Sequence, residues 1–278
     1  PDINGSVGIL FEQASSRGFM QDTINGLLTF EYGIKNQVLT SLSTIEGAWQ
    51  HSDKFKQYRQ TFYEQSNKAA KKEKFSGYLL TETHDFTRFN AFLSKLKQHQ
   101  ISAYQLTEDF RLDNKVFNKK HSVYVPLAQK QYRVVKALFD QGTNFKDNTF
   151  YDVSGWTLPL AMDIDFYEVG RTWGLSLAEQ PWQHVTKKVI AASNNAYAYA
   201  FEWHDYLAPK LLNQLLTLGI KAKVATKSFS SLIDGKTKNF AKGTIVIPAA
   251  LQKNDNWRQQ VSDLAEKNNI DPLKFCDD

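Results

Sequence analysis

The sequence predicts an α/β protein built on a doubly wound, mainly parallel sheet, preceded by a single strand and a long helix. Two observations carry that expectation. From residue 75 onward, short apolar runs alternate with amphipathic helical patterns, the texture of successive βαβ crossovers. In addition, 42% apolar residues in a chain of 278 are enough to bury a sizeable core, which excludes disorder.

Each element follows from local pattern. Residues 6–11, Ser-Val-Gly-Ile-Leu-Phe, are nearly unbroken apolar and read as a strand buried on both faces, ended by Glu12. Residues 13–26 are rich in Ser, Gly and Asn and read as a loop leaving that strand's carboxyl end. Ile34, Val38, Leu39, Leu42, Ile45 and Trp49 recur at helical spacing. The pattern continues to about Lys72 through Phe55, Tyr58 and Phe62, giving one long helix or two with a break near Ser52.

Beyond it, residues 77–80, 101–106, 122–127, 150–153, 197–203, 221–226 and 244–247 read as strands. Asp85 is placed to cap a helix bearing Phe86, Phe89, Leu93 and Leu96. Tyr132, Val135, Leu138 and Phe139 mark a second helix, and Leu207, Leu211, Leu215 and Leu218 a third that stops at Gly219. Trp257, Val261 and Leu264 mark the last. The expected division is 1–72 and 73–278, at the lysine-rich stretch 68–74, and no internal repeat is legible.

The net charge of +5 is local. Residues 51–75 hold seven bases (Lys54, Lys56, Arg59, Lys68, Lys71, Lys72, Lys74) against three acids (Asp53, Glu64, Glu73), the solvated face of a helix. No RNP-type strand, glycine-rich loop or zinc finger accompanies them, so no nucleic-acid partner is expected. No apolar run approaches the ~20 residues that cross a bilayer, and no signal-peptide pattern opens the chain. Its first residues read as the interior of a longer protein. A single cysteine, Cys276, excludes a disulfide framework and a cysteine-based zinc cluster.

Glu12 is the foremost candidate for chemistry. A carboxylate at the carboxyl end of a buried strand, followed by a polar loop with Arg17, lies where open α/β sheets place functional groups; a strand-end Glu paired with Arg17 is the plainer alternative. The stretch Gly8-Ile9-Leu10-Phe11-Glu12-Gln13-Ala14-Ser15-Ser16-Arg17-Gly18 resembles the segment of carboxypeptidase A-like zinc carboxypeptidases that carries the catalytic glutamate. Residues 29–42, Thr-Phe-Glu-Tyr-Gly-Ile-Lys-Asn-Gln-Val-Leu-Thr-Ser-Leu, resemble the terminal helix of a bacterial branch of that family. The resemblance implies that Glu12 is the general base acting on a zinc-bound water, with Arg17 a candidate for substrate binding and a peptide as substrate. It also implies a periplasmic or extracellular parent. None of His51, His84, His99, His121, His184 and His204 stands in the family's His-x-x-Glu ligand motif. The zinc is therefore expected in the full-length parent, with none bound by this chain.

From Phe75 onward, residues 150–160 and 221–227 resemble a class I glutamine amidotransferase-like domain, which implies an amidotransferase- or flavodoxin-like sheet. Glutaminase chemistry needs a cysteine on a strand-to-helix turn, and Cys276 lies after the last helix pattern, so the domain is expected to be noncatalytic. Ser154 follows a strand, but an elbow wants glycine two positions before and after it, where Asp152 and Trp156 stand. A capping or buried serine fits better. In the pair His204-Asp205, adjacent side chains on a strand point apart, and Asp205 reads as the cap of the following helix. The readings of function are thus part of a zinc metallocarboxypeptidase, a noncatalytic binding or scaffolding module, and a serine hydrolase using Ser154.

Overall fold

The computed structural model describes residues 2–276 apart from 14, 113, 143–156, 172, 185–194, 234–235 and 271. The chain divides into two units, residues 1–74 with 127–137 and residues 75–126 with 138–278.

In the first unit a short antiparallel pair, β1 (Met20–Thr23) and β2 (Gly26–Thr29), runs into α1 (Phe30–Gln50), followed after His51 by α2 (Ser52–Lys72). Thr29 starts α1 by accepting the Tyr32 N–H at 3.1 Å, an N-cap. The helical pattern therefore resolves into two helices at the expected break. Tyr132 and Arg133 are tied to α2 and its exit: the Tyr132 hydroxyl donates to Glu73 at 2.6 Å, and Arg133 Nε donates to Ser66 Oγ at 3.1 Å. Burial, followed by that acidic partner, pushes the Tyr132 phenol up to about 12. α1 buries no residue at all, and α2 buries only Ser66 and Ala70.

The strand expected at residues 6–11 is absent. The segment has no regular structure, and Val7, Ile9, Leu10 and Phe11 are exposed. An apolar run becomes a strand only if a neighbouring strand pairs its backbone groups, and the strands of this unit, β1 and β2, pair with each other. The segment expected to be a loop contains β1 instead.

In the second unit the strands are β3 (Phe75–Thr81), β4 (Tyr104–Gln105), β5 (Phe110–Leu112), β6 (Lys115–Phe117), β7 (Ser122–Pro126) and β8 (Asp165–Gly170). They are followed by β9 (Ala196–Phe201), β10 (Lys223–Val224), β11 (Phe229–Ile233), β12 (Lys236–Phe240), β13 (Ile245–Pro248) and β14 (Leu273–Cys276). The helices are α3 (Phe86–Gln98), α5 (Leu158–Ala161), α6 (Ala208–Thr217) and α7 (Trp257–Lys267), while α4 (Tyr132–Phe139) spans the division, residues 132–137 in the first unit and 138–139 in the second. One sheet has the order β4-β7-β3-β8 and the other β10-β13-β9-β14; two hairpins, β5-β6 and β11-β12, complete the set. Among the described residues every pairing is antiparallel.

This corrects the doubly wound, mainly parallel sheet, and with it the amidotransferase- or flavodoxin-like expectation. Strand–helix–strand does bring β3 and β4, and likewise β9 and β10, into the same direction. In each case the next main strand then inserts antiparallel between them, which is the split βαβ arrangement. Four short strands absent from the sequence reading, β5, β6, β11 and β12, form the hairpins that turn the chain round.

The same connectivity occurs twice, so the unit is an internal repeat, contrary to the reading of the sequence. Tyr78 pairs with Val125 beside Pro126, and Tyr199 pairs with Ile247 beside Pro248. Each sheet has helices on one face and its hairpin on the other. In the first, Tyr78 stacks on Phe139 with ring centroids 4.3 Å apart, while Leu79 joins Phe117, Tyr124 and Val169 in a second cluster with Phe110 and Leu112. In the second, Tyr199 and Phe201 pack with Leu211, Leu215, Trp257 and Val261, and Ala198 and Ala200 with Phe240 and Phe275.

The helix exits repeat as well. Gln100, Asp163, Gly219 and Asn269 all take positive φ (58°, 51°, 78° and 55°). Each is followed by a buried isoleucine, Ile101, Ile164, Ile220 or Ile270. The isoleucine N–H bonds back to Leu96, Pro159, Leu215 or Ala265 respectively, a Schellman-type exit. The strand expected at 150–153 lies outside the described residues.

Candidate functional site

β3 is followed by Glu82-Thr83-His84-Asp85-Phe86, and β9 by Glu202-Trp203-His204-Asp205-Tyr206. The shared Glu-x-His-Asp-aromatic pattern occupies the same topological place in both repeats, and the fold brings the two loops together. His204 Nε2 donates to the His84 carbonyl at 2.9 Å, and the two imidazole centroids lie 6.0 Å apart. The Tyr206 N–H donates to Asp85 Oδ2 at 2.8 Å, and the Thr87 hydroxyl reaches Asp205 Oδ1 at 2.6 Å.

Identical letters have different work on the two sides. Glu82 is buried and accepts the N–H groups of His84 at 2.7 Å and Asp85 at 3.1 Å, together with Arg88 Nη2 at 3.1 Å. Burial pushes its carboxyl up, but those hydrogen bonds and the guanidinium charge outweigh it and hold Glu82 below the usual range. Asp85, 1% exposed, caps α3 by accepting the Arg88 N–H at 2.9 Å. Asp205 also accepts the Leu207 N–H at 2.9 Å, closing its own turn. It does not cap α6, whose N-cap Leu207 has no side-chain cap bond, which corrects the capping expectation. Burial raises Asp205; the Thr87 and Leu207 hydrogen bonds lower it, the nearby Asp85 charge raises it and His204 lowers it, leaving the carboxyl above its ordinary value.

Beside this seam opens a cavity of about 310 Å³ whose lining includes His84, Phe86, Glu202, His204, Lys238 and Asn269. Glu202 and Lys238 lie 3.8 Å apart, too long for a hydrogen bond. Each therefore keeps capacity for an opposite charge on a ligand. Glu82 and Asp85, saturated by structural donors, are poor candidates for acid–base work, whereas the imidazoles, ammonium, carboxylate and amide around the cavity suit recognition of a small polar molecule.

The residues singled out by sequence fall elsewhere. Glu12 and Arg17 are exposed in the first unit, in chain without helix or strand, and Glu12 does not end a strand. Two cavities of that unit, of about 750 and 330 Å³, are lined by neither residue. Cys276 ends β14, its backbone paired with Ala196. Ser154 lies outside the described residues. Among the described residues no group of three or more His, Cys, Asp or Glu side chains could hold a metal ion, and no helix is long and apolar enough to cross a membrane. The signal that could have found the seam was the five-position motif recurring after the first strand of each repeat. It is too short to stand out without the fold.

These features define a class of module, two split βαβ repeats joined at a polar seam. No protein-family model matches the sequence, and neither a curated protein nor a solved structure matches it.

Proposed function

We propose that the tandem-repeat unit is a noncatalytic ligand-recognition module carried by a zinc carboxypeptidase-like protein, with the first unit part of its peptidase portion and Glu12 the carboxylate that portion contributes. The observation that carries the recognition reading is the division of labour at the seam. Its buried carboxyls Glu82 and Asp85 are occupied by structural donors, while His84, His204, Glu202 and Lys238 border an open cavity. The peptidase part rests on the resemblance of residues 8–18 and 29–42, and the exposed apolar stripe of α1 is in keeping with a helix built to pack inside a larger domain. The described residues do not fit a zinc ion, and no step of this reading passes through one.

The test is release of C-terminal amino acids from peptides by the purified chain with added zinc. The expected result is no turnover above buffer. Chelator-sensitive turnover would overturn the noncatalytic reading.

A further inference from the structure

The cavity beside the seam has a neighbour. A second cavity, of about 440 Å³, shares Phe86 and Asn269 with it. Its other lining includes Phe89, His121, Trp182, the Lys120 side chain and the amides of Asn90 and Gln105. Phe86 is the aromatic residue of the first repeat's motif and lies 4.6 Å, ring to ring, from His121. Asn269 is the positive-φ residue at the exit of α7. Two elements fixed by the fold therefore stand where the cavities adjoin, one half holding charges of both signs, the other walled by rings with the single cation Lys120.

The two halves ask for different things of one ligand. In the polar half, Lys238 and Glu202 are 3.8 Å apart with side chains 40% and 27% exposed, so each can take a charged ligand group without first breaking a hydrogen bond. A lone anion would meet Glu202, and a lone cation would meet Lys238. A molecule carrying both charges close together satisfies both. In the aromatic half, flat apolar walls with amide groups at hand favour an aromatic ring.

We propose that this two-part cleft binds an aromatic α-amino acid, its carboxylate toward Lys238, its ammonium toward Glu202 and its ring among Phe86, Phe89 and Trp182. The inference rests on the recognition reading above and adds the ligand's chemical class. The same chemistry could reach the cleft as a free amino acid or as the end of a peptide. The free form fits better, because in a peptide one of the two charges is moved away from the ring-bearing residue.

The test is calorimetric titration of the whole chain with L-phenylalanine, L-alanine, phenethylamine, 3-phenylpropionate and glycyl-phenylalanine. Phenylalanine is expected to bind at least tenfold more tightly than alanine, which lacks the ring, and than either singly charged ring compound, since a site built for a polar partner rejects the analogue lacking it. Glycyl-phenylalanine is expected to be weaker than the free amino acid; the reverse order would assign the site to peptide ends and overturn the free form. Lys238→Met and Trp182→Ala, each checked for native circular dichroism, are each expected to weaken phenylalanine binding at least tenfold. Phenylalanine failing to bind, while an unrelated metabolite raises the melting temperature in a cleft-dependent way, would overturn the ligand class and leave the recognition module standing. Failure of every compound in a broad thermal-shift screen would overturn both.

Discussion

Thr87 has one hydroxyl hydrogen and two carboxyl groups within reach, Asp85 Oδ1 at 3.0 Å and Asp205 Oδ1 at 2.6 Å. One hydrogen cannot serve both fully. Burial, and then the neighbouring Asp85 charge, raise the Asp205 carboxyl above its ordinary value, although the Thr87 and Leu207 hydrogen bonds lower it. Because its folded value lies above the unfolded one, Asp205's contribution to stability is fully present below the unfolded carboxyl range and is lost as pH rises through the folded value. Glu82, held low, behaves oppositely: its contribution is present above the unfolded value and is lost as pH falls through the folded one. At neutral pH the seam thus retains the Glu82 contribution. Asp205→Asn keeps an acceptor for the Leu207 N–H and removes a buried charge. It is expected to melt at or above the parent temperature at pH 7, the difference shrinking toward acid pH. Asp85→Asn turns an amide donor toward either the Arg88 or the Tyr206 N–H and should lose about 1–3 kcal/mol. Thermal melts of both variants from pH 4 to 8 check the two signs together.

Helix exits are the device that both repeats use to return the chain to the sheet, and three of the four described exits place a residue other than glycine in the left-handed region. Only at Gly219 is that conformation free of cost. A Cβ at Gly219 would meet nothing within 4 Å, so Gly219→Ala is expected to cost about 1 kcal/mol through backbone strain alone. Gln100→Gly, at the matching exit of α3, should be neutral or stabilising by a few tenths, since relief of strain and the added freedom of the unfolded chain oppose each other. Gly77 is a different case, and its requirement comes from packing. A Cβ there would fall 2.4 Å from the Val125 carbonyl oxygen and 2.6 Å from the Tyr124 ring, so Gly77→Ala should separate β3 from β7 and destabilise the chain far more than Gly219→Ala. Urea denaturation of the three variants ranks them.

Across the whole molecule, apolar surface is unevenly distributed. The repeats bury theirs on both sheet faces, whereas Ile34, Val38, Leu42, Ile45 and Trp49 form an exposed stripe along α1. A stripe of that length is apolar surface open to other molecules, and residues making no buried contact contribute little to folding. The triple variant Leu42→Gln, Ile45→Gln, Trp49→Gln is therefore expected to lower anilinonaphthalene sulfonate fluorescence and light scattering while moving the melting temperature by no more than a degree or two. A collapse of the fold in that variant would show that the stripe is covered in solution.

Local chemistry in the sequence settled the kind of several elements. Asp85 caps α3 as its position required, Gly219 ends a helix, the break near Ser52 divides two helices, and the apolar runs at 77–80, 122–127, 197–203 and 244–247 hold strands. These depend on caps, periodicity and backbone preference, which act over a few residues. Which strand lies beside which depends on contacts far apart in the chain, and there the tertiary structure decided. It inserted β7 between β3 and β4 and β13 between β9 and β10, making antiparallel sheets of what alternation alone read as parallel ones. It left residues 6–11 unpaired, so that Glu12 ends no strand. It also brought His84 against His204 and Thr87 against Asp205 across more than a hundred residues. A strand's neighbour is chosen by whatever edge the rest of the chain presents, and that edge exists only once the chain has folded.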